Sequence, residues 1–231
     1  IPYKVIGYEL DMIIWLPLAG LMAAGAGLLI APLAVRLKGL NLALVSIGIV
    51  YIGSYILSNL NLVTGGAGLG RKTAGYTLFG MNFGNGIEIG TFILTRNQVL
   101  YYLGLLVALV SGIGVKNLIR SKIGRAYAAI RDRDIAAEAI GINLSRFKAS
   151  AFALSSFYAG IAGALMFSTI GGVDVERFSL LFSVTFIAIV VIGGVGTVMG
   201  PILGSIFFGL LPGIIKFGID HSEFIREGVP L

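Results

Sequence analysis

Long apolar runs separated by short polar ones set the architecture of this chain. Met12–Val35, Gly39–Gly70, Asn97–Val115, Ala149–Val173 and Phe178–Ile215 contain no Asp, Glu, Lys or Arg. A bilayer's hydrocarbon core of about 30 Å needs about 20 helical residues, so each run is long enough to cross it. The expected fold is all-α, a polytopic transmembrane helix bundle. The first span covers about Met12–Val35 and stops at Arg36 and Lys38, whose charged heads reach for a polar interface, so that end is expected inside. Leu40–Val63 then returns outward. The Gly-, Asn- and Thr-rich stretch from Thr64 to Gln98 reads as a loop with a short hairpin around Asn82–Gly86. Val99–Val115 crosses inward, and Ala149–Val173 crosses outward to Asp174, Glu176 and Arg177.

The last apolar run is too long for one crossing. Its 38 residues would make a straight helix of about 57 Å, so it must break. Gly193-Gly194-Val195-Gly196 followed by Gly200-Pro201 supplies the place, because proline removes a backbone donor and clashes with the preceding turn. Two short crossings, or one crossing plus a re-entrant piece, both fit. Irregular backbone at membrane depth is tolerated only where protein or a water-filled cavity satisfies it, which puts Gly193–Pro201 inside the bundle. Gly196, Gly200 and Gly204 would form one bare face for close packing if a single helix ran through them.

Composition agrees with a membrane solvent: 57% of residues are hydrophobic and 12% charged. The 34 glycines suit membrane helices whose backbones approach closely. The lack of cysteine excludes disulfides, thiol catalysis and Cys-ligated metals. A net charge of +6 raises the question of nucleic acid, but eight of the 17 Lys and Arg lie in Lys116–Lys148, where Asp132, Asp134 and Glu138 leave a net +5. A basic loop between two spans marks the cytoplasmic face, so the expected partner is a lipid membrane and not nucleic acid. The chain opens Ile1-Pro2 and is expected to be one membrane-spanning domain, residues 1–231, truncated at both ends, with the basic loop at 116–148.

That loop divides into two short helical tracts, Arg125–Ile130 and Asp134–Ile140. Asp134 is placed to cap the second by accepting a backbone N–H, and Gly141 to end it in the left-handed conformation. Ile135 with Ala139, and Ala136 with Ile140, take neighbouring faces while Glu138 points elsewhere. A short helix of small residues flanked by charges reads as a docking element that inserts into a groove on another subunit.

The segment from Ile123-Gly124-Arg125 to Gly141-Ile142-Asn143, with Arg146-Phe147-Lys148 and the following Ala149–Met166, resembles the cytoplasmic loop of permeases in the branched-chain amino acid ABC transporter family. Arg36-Leu37-Lys38-Gly39 before Leu40–Ile49, Thr64-Gly65-Gly66, and Gly193-Gly194-Val195-Gly196 with Gly200-Pro201 match the family pattern in the same order. The likeness runs from about residue 16 to residue 216 and is closer to the M-type than to the H-type permease. It implies a coupling set for ATPase docking, namely Gly124, Arg125, Asp134, Ala136, Ala137, Glu138, Gly141 and Asn143. It further implies a candidate solute path at Thr64, Gly65, Gly66, Gly193, Gly194 and Gly196. Separate ATPase subunits, a second homologous permease and an extracytoplasmic solute-binding protein are the implied partners, in the cytoplasmic membrane. The chain itself is expected to hydrolyse nothing and to carry no cofactor or metal. Branched-chain amino acids lead as cargo, with urea and short amides also carried in the family.

Other chemistries find little footing. Lys72-Thr73 follows Arg71 where a phosphate loop needs glycine. The single His221 makes no metal site and reads as an exposed loop residue. Asn143-Leu144-Ser145 fits a glycosylation sequon on the wrong side of the membrane. Ser155-Ser156 and Ser168-Thr169 read as helix hydroxyls bonded to carbonyls one turn back. A secondary transporter would place ionisable groups within its spans, and none occurs in these runs. A passive channel would not need a structured docking loop.

Overall fold

The computed structural model describes residues 11–37, 40–59, 76–78, 80–82, 84, 86–89, 92–171 and 180–227. Thr64, Gly65 and Gly66 lie outside the described residues. Contacts divide the chain into two compact units, Ile1–Arg177 and Phe178–Leu231. The chain is an all-α polytopic membrane protein, as its apolar runs require. Among the described residues, four helical stretches are long and apolar enough to cross a membrane: Met12–Leu33, Arg96–Arg120, Leu144–Ile170 and Met199–Gly218. Leu44–Asn59 and Leu180–Gly193 are shorter apolar helices.

In the first unit, α1 (Met12–Arg36) and α2 (Leu40–Asn59) lead to two antiparallel hairpins. β1 (Thr77–Leu78) pairs with β2 (Met81–Asn82), and β3 (Ile87–Ile89) with β4 (Phe92–Leu94). The expected hairpin around Asn82–Gly86 is thus corrected: the pairing lies on either side, with Asn82 ending the first hairpin and Ile87 beginning the second. Gly86 takes φ +97° there, and a Cβ on it would lie 2.8 Å from the Leu94 carbonyl oxygen. The chain continues through α3 (Arg96–Arg120), α4 (Lys122–Asp132), α5 (Asp134–Ala139) and α6 (Leu144–Ile170). α3 outruns the expected Val99–Val115 at both ends. Its first turn is fastened by the Thr95 N–H donating to Gln98 Oε1 at 2.9 Å, and its far end takes in Lys116 through Arg120.

α1 and α6 form the main helix contact of this unit, and its surfaces are built from small residues. A Cβ on Gly160 would come within 2.6 Å of Ala23 Cβ and 2.8 Å of the Ala19 carbonyl oxygen. A side chain at Gly27 would strike Ser156, and one at Gly20 would come within 2.8 Å of the Phe157 ring. Membrane helices associate through such van der Waals fit, because lipid tails are as apolar as the helices themselves. At the hairpin end, Met12, Leu16, Val99 and Leu100 are buried together, with Trp15, Tyr76 and Leu94 packed against them. Tyr76 locks the hairpins to the helices: its hydroxyl donates to the Ser168 carbonyl at 2.9 Å, and the Arg96 guanidinium lies 4.8 Å from its ring centroid. The hydroxyls of Ser155, Ser168 and Thr169 bond carbonyls three or four residues back at 3.0 Å, as expected, whereas Ser156 instead faces Gly27 of α1.

In the second unit, α7 (Leu180–Gly193) and α8 (Met199–Glu227) are joined by a tight turn, so the long apolar run does break where expected. Gly194 and Gly196 take φ +108° and +87°, a region closed to most side chains. Thr197 Oγ1 accepts the Gly200 N–H at 3.0 Å, and Pro201 falls in the first turn of α8, where a missing N–H costs nothing. The bare face is corrected accordingly: Gly196 belongs to the turn, and the close approach is made by Gly193, Gly200 and Gly204. A side chain at Gly193 would run into the Gly200 carbonyl, and one at Gly204 into the Ile189 carbonyl. His221, expected in a loop, lies within α8.

Leucine at Gly204 is therefore expected to force α7 and α8 apart at a cost of about 1–3 kcal/mol. Gly209→Leu, where nothing lies within 4 Å of a new Cβ, is the matched control. Thermal unfolding in detergent compares the two, and equal midpoints would rule out the close-packed hairpin.

Candidate functional site

The basic segment folds into a cornered pair of short helices. The first corner, between α3 and α4, is held by Ser121, whose hydroxyl donates to the Leu118 carbonyl at 2.7 Å and accepts the N–H groups of Ile123 and Gly124 at 3.2 and 3.3 Å. Gly124 is buried against the Leu118 and Ile119 carbonyls, so a Cβ there has no room. Arg125 is exposed and reaches the Arg120 carbonyl at 3.4 Å. Tyr127 ties α4 to α6 through a 2.9 Å hydrogen bond with Ser150 and an edge-on contact with the Phe147 ring.

α5 follows Arg133, which occupies the capping position expected of Asp134. Asp134 instead sits at the first helical position, its Oδ1 accepting the Ile135 N–H at 3.0 Å; a carboxylate in the first turn still favours the helix dipole. The far end closes as expected at Gly141, with φ +89°. The Gly141 N–H donates to the Glu138 carbonyl at 2.9 Å and the Ile142 N–H to the Ala137 carbonyl at 3.0 Å, a Schellman closure. Asn143 then caps α6, its Oδ1 accepting the Arg146 N–H at 3.1 Å.

The two faces of α5 differ. Ala137 is only 2% exposed, so it packs within this chain and is no part of an outward surface, contrary to its expected insertion elsewhere. Ala136, Glu138 and Ala139 are exposed, and Ile135 and Ile140 are exposed to 79% and 75%. The two isoleucines are the residues that attention to small side chains undervalued. The signal for them was present, since they are bulky apolar residues in a segment otherwise rich in charge. Beside this helix a groove of about 500 Å³ is lined by Val35, Glu138, Gly141, Asn143, Ser145 and Lys148, among others. It gathers Glu138, Gly141 and Asn143 of the expected set at one place and carries charges of both signs.

Gly193, Gly194 and Gly196 come together at the α7–α8 turn. Gly193 serves the helix crossing, and the Gly194 N–H donates to the Val190 carbonyl at 3.0 Å. Among the described residues, no cluster of three or more His, Asp or Glu side chains could hold a metal ion.

The family model described as the permease component of the branched-chain amino acid transport system matches residues 3–222. The high-affinity branched-chain amino acid transport system permease protein LivM of Escherichia coli is 35% identical over 96% of this chain and 55% of its own length. Its Salmonella typhimurium counterpart is 34% identical over the same shares. The ribose import permease protein RbsC of Haemophilus influenzae is 28% identical over 45% of this chain and 33% of its own. The chain thus spans about half the length of the LivM proteins it matches. No solved structure matches it. With apolar helices long enough to span a bilayer and a match over nearly its whole length, the chain belongs to the family of permease components of branched-chain amino acid transport systems.

Proposed function

We propose that this chain is the membrane-spanning part of an ATP-driven importer in the cytoplasmic membrane, carrying branched-chain amino acids by alternating access. The observation that carries the coupling half of this reading is α5. A six-residue helix closed by a Schellman turn presents Ile135, Ala136, Ala139 and Ile140 outward, from a basic segment between two spans. Exposed apolar side chains outside the apolar runs are costly in water and mark a surface that a partner covers. The partner in this reading is an ATPase subunit. Its motion on binding and releasing ATP reaches α6 through Gly141–Asn143 and tips the bundle between outward- and inward-open states. Gly124 and Arg125 hold the corner that aims α5, while Asp134 and Glu138 supply charge at its rim. A second homologous permease and an extracytoplasmic binding protein complete the assembly. The resemblance to LivM supports the cargo, and the solute route includes the Thr64-Gly65-Gly66 stretch and the Gly193–Gly196 turn.

Reconstituting the complete transporter in liposomes tests this directly. Uptake of labelled leucine should require hydrolysable ATP and survive a proton ionophore. Uptake that ignores ATP and collapses with the ionophore would identify a secondary transporter instead. Competition by ribose but not by isoleucine would move the cargo to sugars.

A further inference from the structure

The half of α2 nearer Asn59 carries a polar stripe that the coupling reading leaves unused. Tyr51, Ser54, Tyr55, Ser58 and Asn59 fall at i, i+3, i+4, i+7 and i+8, the spacing of one helix face. The opposite face at the same level is Ile49, Gly53 and Ile56, with Ile52 on the flank beside Asn59. Tyr51 lies a little over halfway along a 20-residue helix without a charged residue, and in a helix of that length that crosses a bilayer this position falls well inside the hydrocarbon.

The stripe's polar groups are not all alike. Ser54 and Ser58 return their hydroxyl protons to the Val50 and Ser54 carbonyls, and the Asn59 amide bonds the Tyr55 carbonyl, each at 2.9 Å. Those side chains are satisfied by their own helix and tolerate any surroundings. The phenols of Tyr51 and Tyr55 cannot reach their own backbone. Their side chains are 63% and 71% exposed, and no hydrogen bond to another described residue satisfies them.

Hydrocarbon is a poor neighbour for an unpaired hydroxyl at that depth. Tyrosines at a membrane interface escape the penalty, as Tyr101 and Tyr102 near the start of α3 do, but Tyr51 is too deep. A neighbouring helix is also a poor fit. Among the described residues, the close helix contacts of α1 on α6 and of α7 on α8 are made by glycine and other small residues, whereas this face carries two bulky rings. A water-filled cavity satisfies the phenols and accepts their bulk.

We propose that the Tyr51, Ser54, Tyr55, Ser58 and Asn59 face of α2 lines the solute path and offers neutral hydrogen-bonding groups and ring faces to a small zwitterionic solute with an apolar side chain. Neutral groups suit such a cargo, since they orient an ammonium and a carboxylate without trapping either. This rests on the importer reading above.

The chain contains no cysteine, so single replacements report local environment cleanly. In the assembled transporter, Tyr51→Cys, Ser54→Cys and Tyr55→Cys are compared with Ile49→Cys and Ile56→Cys, using a small water-soluble methanethiosulfonate. A thiol in hydrocarbon is held protonated, and each unit of raised pKa costs tenfold in reactive thiolate, so the stripe should label roughly tenfold faster or more. Leucine should slow labelling at positions 51 and 55. Equal rates on both faces, slow labelling of the stripe as lipid or a second permease would give, or rates indifferent to leucine in vesicles that import it, would each overturn the proposal. A preparation in which the stripe labels fast but the parent complex imports no leucine on ATP sinks the importer reading and leaves the stripe's water-facing placement standing.

Discussion

Leucine in place of Gly160 is expected to leave little correctly packed protein, the largest structural loss of any single change considered in this chain. The new Cβ alone would lie 2.6 Å from Ala23 Cβ, 2.8 Å from the Ala19 carbonyl oxygen and 3.0 Å from the Gly20 Cα. Two of these three obstacles are backbone, which cannot rotate away as the end of a flexible side chain can. Relief requires α1 and α6 to separate, and that surrenders the principal helix contact of the first unit. Overpacking costs about 1–3 kcal/mol where neighbours can yield, and here the cost should exceed that range. Gly163, three residues further along α6, has nothing within 4 Å of a Cβ. Gly163→Leu should behave like the parent. Size-exclusion profiles and thermal unfolding in detergent separate the outcomes: equal stability of the two variants would remove the close-packed α1–α6 pair.

The contrast between Gly160 and Gly163 shows where reading the sequence stops. Both are glycines in one apolar helix, and nothing local tells them apart. What distinguishes them is a partner more than a hundred positions away, and a chain with 34 glycines offers too many pairings to choose among. Features governed by local physics were legible. Spans follow from where charge is missing, and the α7–α8 break follows from a run too long for a bilayer with glycine and proline in its middle. The Gly141 terminus follows from the scarcity of residues that accept positive φ.

Where two local signals competed, the stronger pattern misled. Asn85-Gly86 is the best hairpin dipeptide in the loop, yet the strands turn on either side of it. Gly86 is used instead for its positive φ and its close approach to the Leu94 carbonyl. On α5, six residues give too few turns for any periodicity to reveal that Ala137 faces inward and Ala136 outward. The sequence could single out that helix, but which of its residues face outward needed α4 and α6 around it.

That orientation changes how coupling should be tested. Ala137→Trp probes the interior, since the ring has no space at a position 2% exposed, and the resulting damage would say nothing about a partner. Ile135 and Ile140 face outward and can be altered without touching this chain's own packing. Ile135→Asp with Ile140→Asp is expected to abolish co-purification of the ATPase subunits and ATP-driven uptake. A docked isoleucine contributes about 1.5–3 kcal/mol by burial, and a carboxylate forced into the same apolar pocket adds a desolvation cost on top. Two such losses together exceed about 3 kcal/mol, more than a hundredfold in affinity. The variant should still insert, and its unfolding midpoint should match the parent's, because both side chains are solvent-exposed in the free chain. Glu138→Ala, removing a charge at the rim, should weaken association more mildly. Gly141→Val should act differently again: a β-branched residue at φ +89° strains the Schellman closure, so both stability and docking should fall. The decisive comparison is the double aspartate variant, in which normal ATPase association and coupled uptake would show that α5 is a solvated connector and that coupling enters elsewhere.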